Sequence, residues 1–147
     1  MKKVIFAAAV AACTLGSFLS SCTKQAPSAE ALCGEWYIGA YRNNGSGSMQ
    51  NIADSRYNAA FTADSTFFCA TDCNSLHSTC LVNGDSLRFG PVASTRMACP
   101  DMEVEQNIGA LLNDIRTFTI QDTTLCLKDN QQQTLIILYK NTNTQKP

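Results

Sequence analysis

The sequence predicts a mainly β member of the α+β class: a strongly curved antiparallel sheet or cracked β-barrel of seven to eight short strands, with one amphipathic helix at about residues 101–115. Three observations lead there. Short runs that alternate apolar and polar residues recur between turn signals. A single run switches to a helical period between two groups of such strands. The chain has 147 residues, 45% of them apolar, enough for one domain with a packed core.

Glu35 to Arg42 alternates, with Trp36, Ile38 and Ala40 on one face, and the NNGSGS segment at Asn43 to Ser48 reads as a flexible loop. Tyr57 to Thr62 and Thr66 to Ala70 flank Ala63-Asp64-Ser65 and form a hairpin. Thr71 to His77 reads as a loop. Thr79 to Val82 and Ser86 to Phe89 flank Asn83-Gly84-Asp85, whose Asn-Gly pair favours a primed turn. Pro91 to Pro100 is irregular. Val104, Ile108, Leu111, Leu112 and Ile115 then share one helical face, with Pro100 in the first turn and Asp101, Glu103 and Glu105 where the helix dipole favours negative charge. Thr117 to Gln121, Leu125 to Lys128 and Thr134 to Lys140 complete the strands. The last is apolar on both parities, as for a strand covered on both faces. Such a sheet must bury its apolar face, and the helix fills its gap or end.

The N-terminus carries Lys2 and Lys3, then an uncharged run of 16 residues from Val4 to Leu19, the n- and h-regions of a signal peptide. A spanning helix needs about 20 apolar residues, so this run is short for one. Leu19-Ser20-Ser21-Cys22 matches a bacterial lipobox: a branched residue, two small ones and the cysteine whose thiol accepts diacylglycerol. The expected organisation is a lipoprotein signal peptide at 1–21, a tether at 22–29, a domain at 30–140 and a polar tail at 141–147. Two or more acyl chains on Cys22 anchor a protein stably, so the membrane is an expected partner. Thr23 follows Cys22 where inner-membrane retention usually shows Asp, and no acidic cluster follows it. The expected location is the bacterial outer membrane, facing the periplasm. Processing leaves 9 basic and 12 acidic side chains, a formal charge of −3. With no basic face, nucleic-acid binding is excluded as a function class.

Six cysteines remain in the domain: Cys33, Cys69, Cys73, Cys80, Cys99 and Cys126. An even number in an exported domain argues for disulfides, and spacing alone leaves all 15 connectivities open. Cys69, Cys73, His77 and Cys80 are also zinc-type ligands within 12 residues, but their spacing is not C-x2-C and export is oxidising. No C-x-x-C redox pair is present.

Cys73-Asn74, Gly84-Asp85-Ser86-Leu87-Arg88-Phe89 and Ala93-Ser94-Thr95-Arg96-Met97-Ala98-Cys99 resemble the META domain, also called HslJ-like. That family carries a Gly-Cys-Asn segment, a G-x-x-L-x-F strand and an A-S-T-x-M-A-C segment before an acidic helix. Leu32-x-Gly34-x-Trp36 is similar to its opening strand, Phe118-Thr119-Ile120 and Leu125-x-Leu127 to its closing ones, and Glu103 or Glu105 to its helix glutamate. The motif residues carried over are Asn74, Ser94, Thr95, Arg96 and Met97. Asp72 departs from the family glycine, Cys69 from another glycine and Cys80 from an aromatic position. Cys73 and Cys99 are the family's own cysteines, so the resemblance pairs them. It also makes Cys69–Cys80 a cross-strand pair of gains, leaving Cys33 with Cys126, both facing outward.

The resemblance implies a bacterial envelope or secreted protein, in some members stress-induced, without an established catalytic activity. Its fold resembles a cracked-barrel lipoprotein that pilots secretin subunits and holds an acyl tail. The expected function is therefore a non-catalytic interaction or stress-related role, with an envelope protein as partner and no cofactor. Carriage of a small apolar ligand or acyl chain is the alternative, with Trp36, Tyr37, Phe61, Phe67 and Phe68 as candidate lining. A zinc-binding domain is the minor one. His77 reads as a surface-loop histidine without a nucleophile elbow beside it, Glu103 and Glu105 as helix-terminal charges, and Arg96 with Asn74 as residues that satisfy loop backbone.

Overall fold

The computed structural model describes residues 27–52 and 54–142. The signal peptide, Cys22 and the residues beyond Thr142 lie outside the described residues. Ten strands form one antiparallel sheet: β1 (Gly34–Arg42), β2 (Met49–Asn51), β3 (Asn58–Phe61), β4 (Thr66–Ala70), β5 (Ser75–Asn83), β6 (Ser86–Phe89), β7 (Ala93–Ser94), β8 (Thr117–Gln121), β9 (Thr124–Lys128) and β10 (Thr134–Lys140). Two helices accompany them, α1 (Ala29–Leu32) and α2 (Glu103–Leu112).

The order β1-β3-β4-β5-β6-β8-β9-β10 returns to β1 through an antiparallel pairing of β10 with β1. Eight strands thus close into a barrel, with β2 an extra strand on β1 and β7 one on β5. An eight-stranded barrel has an interior just wide enough for side chains to fill. Trp36, Phe61, Phe67, Leu87, Phe118, Leu125, Leu127 and Leu138 fill it here, all at most 2% exposed. The β6–β8 seam is thin: Ser86 and Thr117 are its directly paired residues, flanked by Leu87 N–H to the Arg116 carbonyl and Phe118 N–H to the Asp85 carbonyl.

Alternation along each strand explains which side chains point in. On β5, Leu76, Ser78 and Cys80 are buried, while His77, Thr79 and Leu81 face outward. The turn at Gly84, with φ 59°, joins β5 to β6 with glycine first of two turn residues, the position a type II′ turn reserves for it. On β10, Leu135 and Ile136 are both buried beside a register shift, which is why its apolar run ignores parity.

Several boundaries differ from the sequence expectation. Residues 71–74 alone form the β4–β5 connection, and β5 begins at Ser75, so His77 lies on a strand rather than in a loop. The reason is that Thr71 closes the turn twice, its N–H and hydroxyl both donating to the Asn74 carbonyl. α2 starts at Glu103, so Pro100 precedes the helix rather than opening it. α1 is a single turn that the tether reading missed, capped by the Ser28 hydroxyl. It breaks the strand period just before β1, so the outward phase expected for Cys33 does not hold.

Candidate functional site

The two ends of the barrel are closed differently. At one end the β4–β5 turn, the 93–99 segment and the start of α2 meet around a buried asparagine. Asn74, 3% exposed, saturates its amide. Its Nδ2 donates to Glu105 Oε2 (2.8 Å) and to the Met97 carbonyl (3.1 Å). Its Oδ1 accepts from the Thr95 hydroxyl (2.8 Å) and the Met97 N–H (2.8 Å). Glu105, 8% exposed, accepts on its other oxygen from the Ser94 hydroxyl at 2.7 Å. Thr95 also accepts from the Ser75 N–H (3.0 Å), tying the segment to the first residue of β5.

A second carboxylate anchors the helix. Met102 at the N-cap makes no side-chain cap bond. Asp72, two residues before Asn74 but remote from the helix in sequence, accepts instead from the Glu105 N–H (3.1 Å). The first-turn amides need such acceptors. Its other oxygen accepts from the Tyr57 hydroxyl at 2.8 Å. Burial, then the Asp72 bond, push the Tyr57 phenol up to about 12. Glu103 accepts from Asn43 (3.1 Å) and Tyr41 (3.4 Å), and Asn44 N–H donates to Asn107. Burial, then the Glu103 charge, raise the Tyr41 phenol.

Cys73 and Cys99 are joined by a disulfide, Cα–Cα 6.5 Å, that clasps the 93–99 segment to the turn. This is the pair the family resemblance implies. The other two implied pairs do not form: Cys33, Cys69, Cys80 and Cys126 are free. Cys69 sits opposite Leu76 on β5, four residues from Cys80, or about 13 Å along a strand. A disulfide needs Cα atoms within about 7 Å. Cys126 stands opposite Ile137, which in turn pairs with Ala40, seven residues along β1 from Cys33 and about 20 Å away. The zinc reading fails on strand parity. His77 points out while Cys80 points in, Cys73 is spent in the disulfide, and no metal-binding group of three such residues occurs among the described residues. His77 instead stacks edge-on against Phe68 at 5.0 Å.

Three site expectations need correction. Glu105 is no exposed helix-terminal charge: two dipolar side chains hold it in the interior, a role a one-residue reading of helix charge misses. Its signal was its spacing, three residues before Ile108 and seven before Leu112, which puts it on the apolar arc. Asn74 does satisfy loop backbone, at both the N–H and the carbonyl of Met97, but Arg96 does not join it; it is exposed and outside the network. Nor do the candidate aromatics share one cavity: Phe61 borders a cleft of about 90 Å³ and Tyr37 a separate open hollow. Phe61 and Phe67 pack on each other (5.0 Å) and on Phe89 within the core, while Tyr37 and Phe68 lie on the outer face.

The arrangement is a scaffold whose polar atoms are consumed by one another: among the described residues no buried side-chain nitrogen or oxygen lacks a partner. What it leaves outward is Arg96 and Met97, the latter 60% exposed.

Residues 30–142 match the family model of the META domain. The chain belongs to the META-domain family. No curated protein matches it. Solved structures share the META fold at low identity. The NMR structure of a protein from Burkholderia xenovorans has a TM-score of 0.62 at 16% identity, covering 97% of this chain and all of that one. A crystal structure of a DUF4847 family protein from Bacteroides vulgatus has a TM-score of 0.53 at 16% identity, over 75% of this chain and 94% of its own. A further NMR structure gives 0.58 at 14% identity, over 82% and 99%. Such likeness extends to the barrel, not to an activity.

Proposed function

We propose that this META domain is a lipid-anchored envelope protein that works by presenting the clasped 95–99 segment to a protein partner, without catalysis. One observation carries the reading: Asn74, Ser94 and Thr95 spend their side chains on one another, on Glu105 and on the Met97 backbone, so their work is to hold a loop whose Arg96 and Met97 side chains stay outward and outside that network. A methionine beside an arginine, on backbone fixed by a disulfide and several hydrogen bonds, loses little entropy on binding and supplies both apolar area and charge. Anchoring rests on the Leu19-Ser20-Ser21-Cys22 pattern and is supported by the Cys73–Cys99 bond, which belongs to oxidising compartments. The location that follows is the periplasmic face of the outer membrane. Carriage of an acyl chain finds less support, because side chains fill the barrel, the cleft at its α1 end is about 90 Å³, and the larger hollow of about 370 Å³ along Tyr37, Ile52 and Tyr139 is open to solvent rather than enclosed. Ligand pockets run from about 300 Å³.

The test is photo-crosslinking in intact envelopes. A crosslinker placed at Met97 should capture one discrete partner, whereas one at Leu81, which is more exposed (71%) and lies near the C-terminal end of β5, should not. Radiolabelled palmitate should enter the parent and not the Cys22→Ser variant. Equal capture at both positions, or a label independent of Cys22, would contradict the proposal.

A further inference from the structure

The barrel end away from the Asn74 network holds two thiols. Cys33 follows α1 directly, and Cys80 lies on β5 with its side chain inward, 3% exposed. Both line the same cleft of about 90 Å³, between α1 and the β3–β4 hairpin tip, together with Leu32, Phe61, Ser65 and Val82. The register explains the meeting. Gly34 pairs with Phe61, Phe61 with Phe67 and Phe67 with Ser78, while Cys80 N–H donates to the Ser65 carbonyl across the hairpin turn. Curling of these four strands brings the residue before Gly34 towards the residue two beyond Ser78.

We infer that Cys33 and Cys80 are a second cysteine pair, which closes into a disulfide stapling α1 to β5. Their neighbours leave no other partner, since Cys69 and Cys126 lie at other levels of the sheet. The cleft is lined by apolar and hydroxyl side chains. Burial raises the Cys80 thiol, and Cys33 beside it raises it further. The half-buried Cys33 is therefore the sulfur that reacts first. Its thiolate attacks a disulfide of an exported thiol–disulfide exchange oxidant, forming a mixed disulfide and releasing one oxidant thiolate. The Cys80 sulfur, on losing its proton, then attacks the Cys33 sulfur, and the second oxidant thiolate leaves. Two protein thiols are oxidised and one oxidant disulfide is reduced, with both protons passing to the oxidant's sulfurs. The joint at Gly34, with φ 122°, lies next to Cys33 and supplies the backbone freedom to close the bond. Lys140 holds the same corner, donating to the Cys33 carbonyl (2.8 Å) and lying 4.4 Å over the Trp36 ring. The staple would fasten the chain where the lipid tether enters the barrel. Closure in the cell rests on the export reading above; the pairing itself does not.

The experiment equilibrates the purified full-length chain with oxidised glutathione, alkylates under denaturation and maps peptides by mass spectrometry without reduction. Residues 33 and 80 should appear in one linked species, with Cys69 and Cys126 alkylated. In the Cys80→Ser variant, Cys33 should become alkylatable and the melting temperature of the oxidised protein should fall, while the two reduced proteins melt together. Full alkylation of both Cys33 and Cys80 while Cys73–Cys99 is closed would overturn the pairing, as would Cys33 linked to any other cysteine. Formation of the bond with glutathione, in a chain whose cellular form carries only thiols, would support the pairing and sink the export reading instead.

Discussion

The two ends of this barrel solve one problem with opposite chemistry. Around Asn74 the closure is polar: an amide, two carboxylates, two hydroxyls and a disulfide, each satisfied by the next. Around Leu32 it is apolar: one helical turn packed on Trp36 and Phe61, with a single buried indole bond to the Leu32 carbonyl (2.8 Å). The polar end specifies a geometry, because hydrogen bonds are directional and costly to leave unmade. The apolar end specifies a volume. Under the function proposed above, recognition belongs to the first end and fastening to the second.

Substitution can break the comparison. Asn74→Ala strands the Glu105 carboxylate, the Thr95 hydroxyl and the Met97 N–H together, and should cost about 3–5 kcal/mol, read by urea denaturation. Leu32→Ala removes packing at the other end and should cost about 3 kcal/mol, with the proton resonances of the 93–99 segment unmoved. Resonance shifts spreading from Leu32→Ala into that segment would show that the two ends are not independent.

Most of the barrel was legible because strand parity and turn residues are local signals. Trp36, Ile38, Phe61, Phe67, Leu125 and Leu127 face inward as their alternation says. Illegible features were those made by partners distant in sequence. Asp72 stands where the resemblance leads one to expect glycine, and nothing local says that it caps a helix 30 residues on. Glu105 reads as a helix-terminal charge until Asn74 and Ser94 are placed beside it. The two cysteine pairings other than Cys73–Cys99 failed for a related reason. Parity is lost across α1, so Cys33 borders the cleft that Cys80 also lines, and sequence spacing carries no information on how far the sheet curls.

Smaller effects sharpen the account. Asp72→Ala removes the remote cap and should cost about 1 kcal/mol, with fraying confined to the first turn of α2 in hydrogen exchange. The Tyr57 phenol, held up at about 12, gives a pH signature. The fold favours its protonated form, so this stabilisation is complete below the ordinary tyrosine value near 10 and is lost as pH rises from there to about 12. Tyr57→Phe should flatten the fall in stability across that window. Tyr41 contributes in the same direction, so some slope should persist.

Labour is divided at the polar end: Asn74 builds the loop, and Arg96 and Met97 face outward from it. Urea unfolding of Asn74→Ala against the Arg96→Ala, Met97→Ala double variant tests it most directly. The account predicts a large loss for the first and a change within about 0.5 kcal/mol for the second. A double variant as unstable as Asn74→Ala would mean that the exposed pair is part of the scaffold, and would contradict the account.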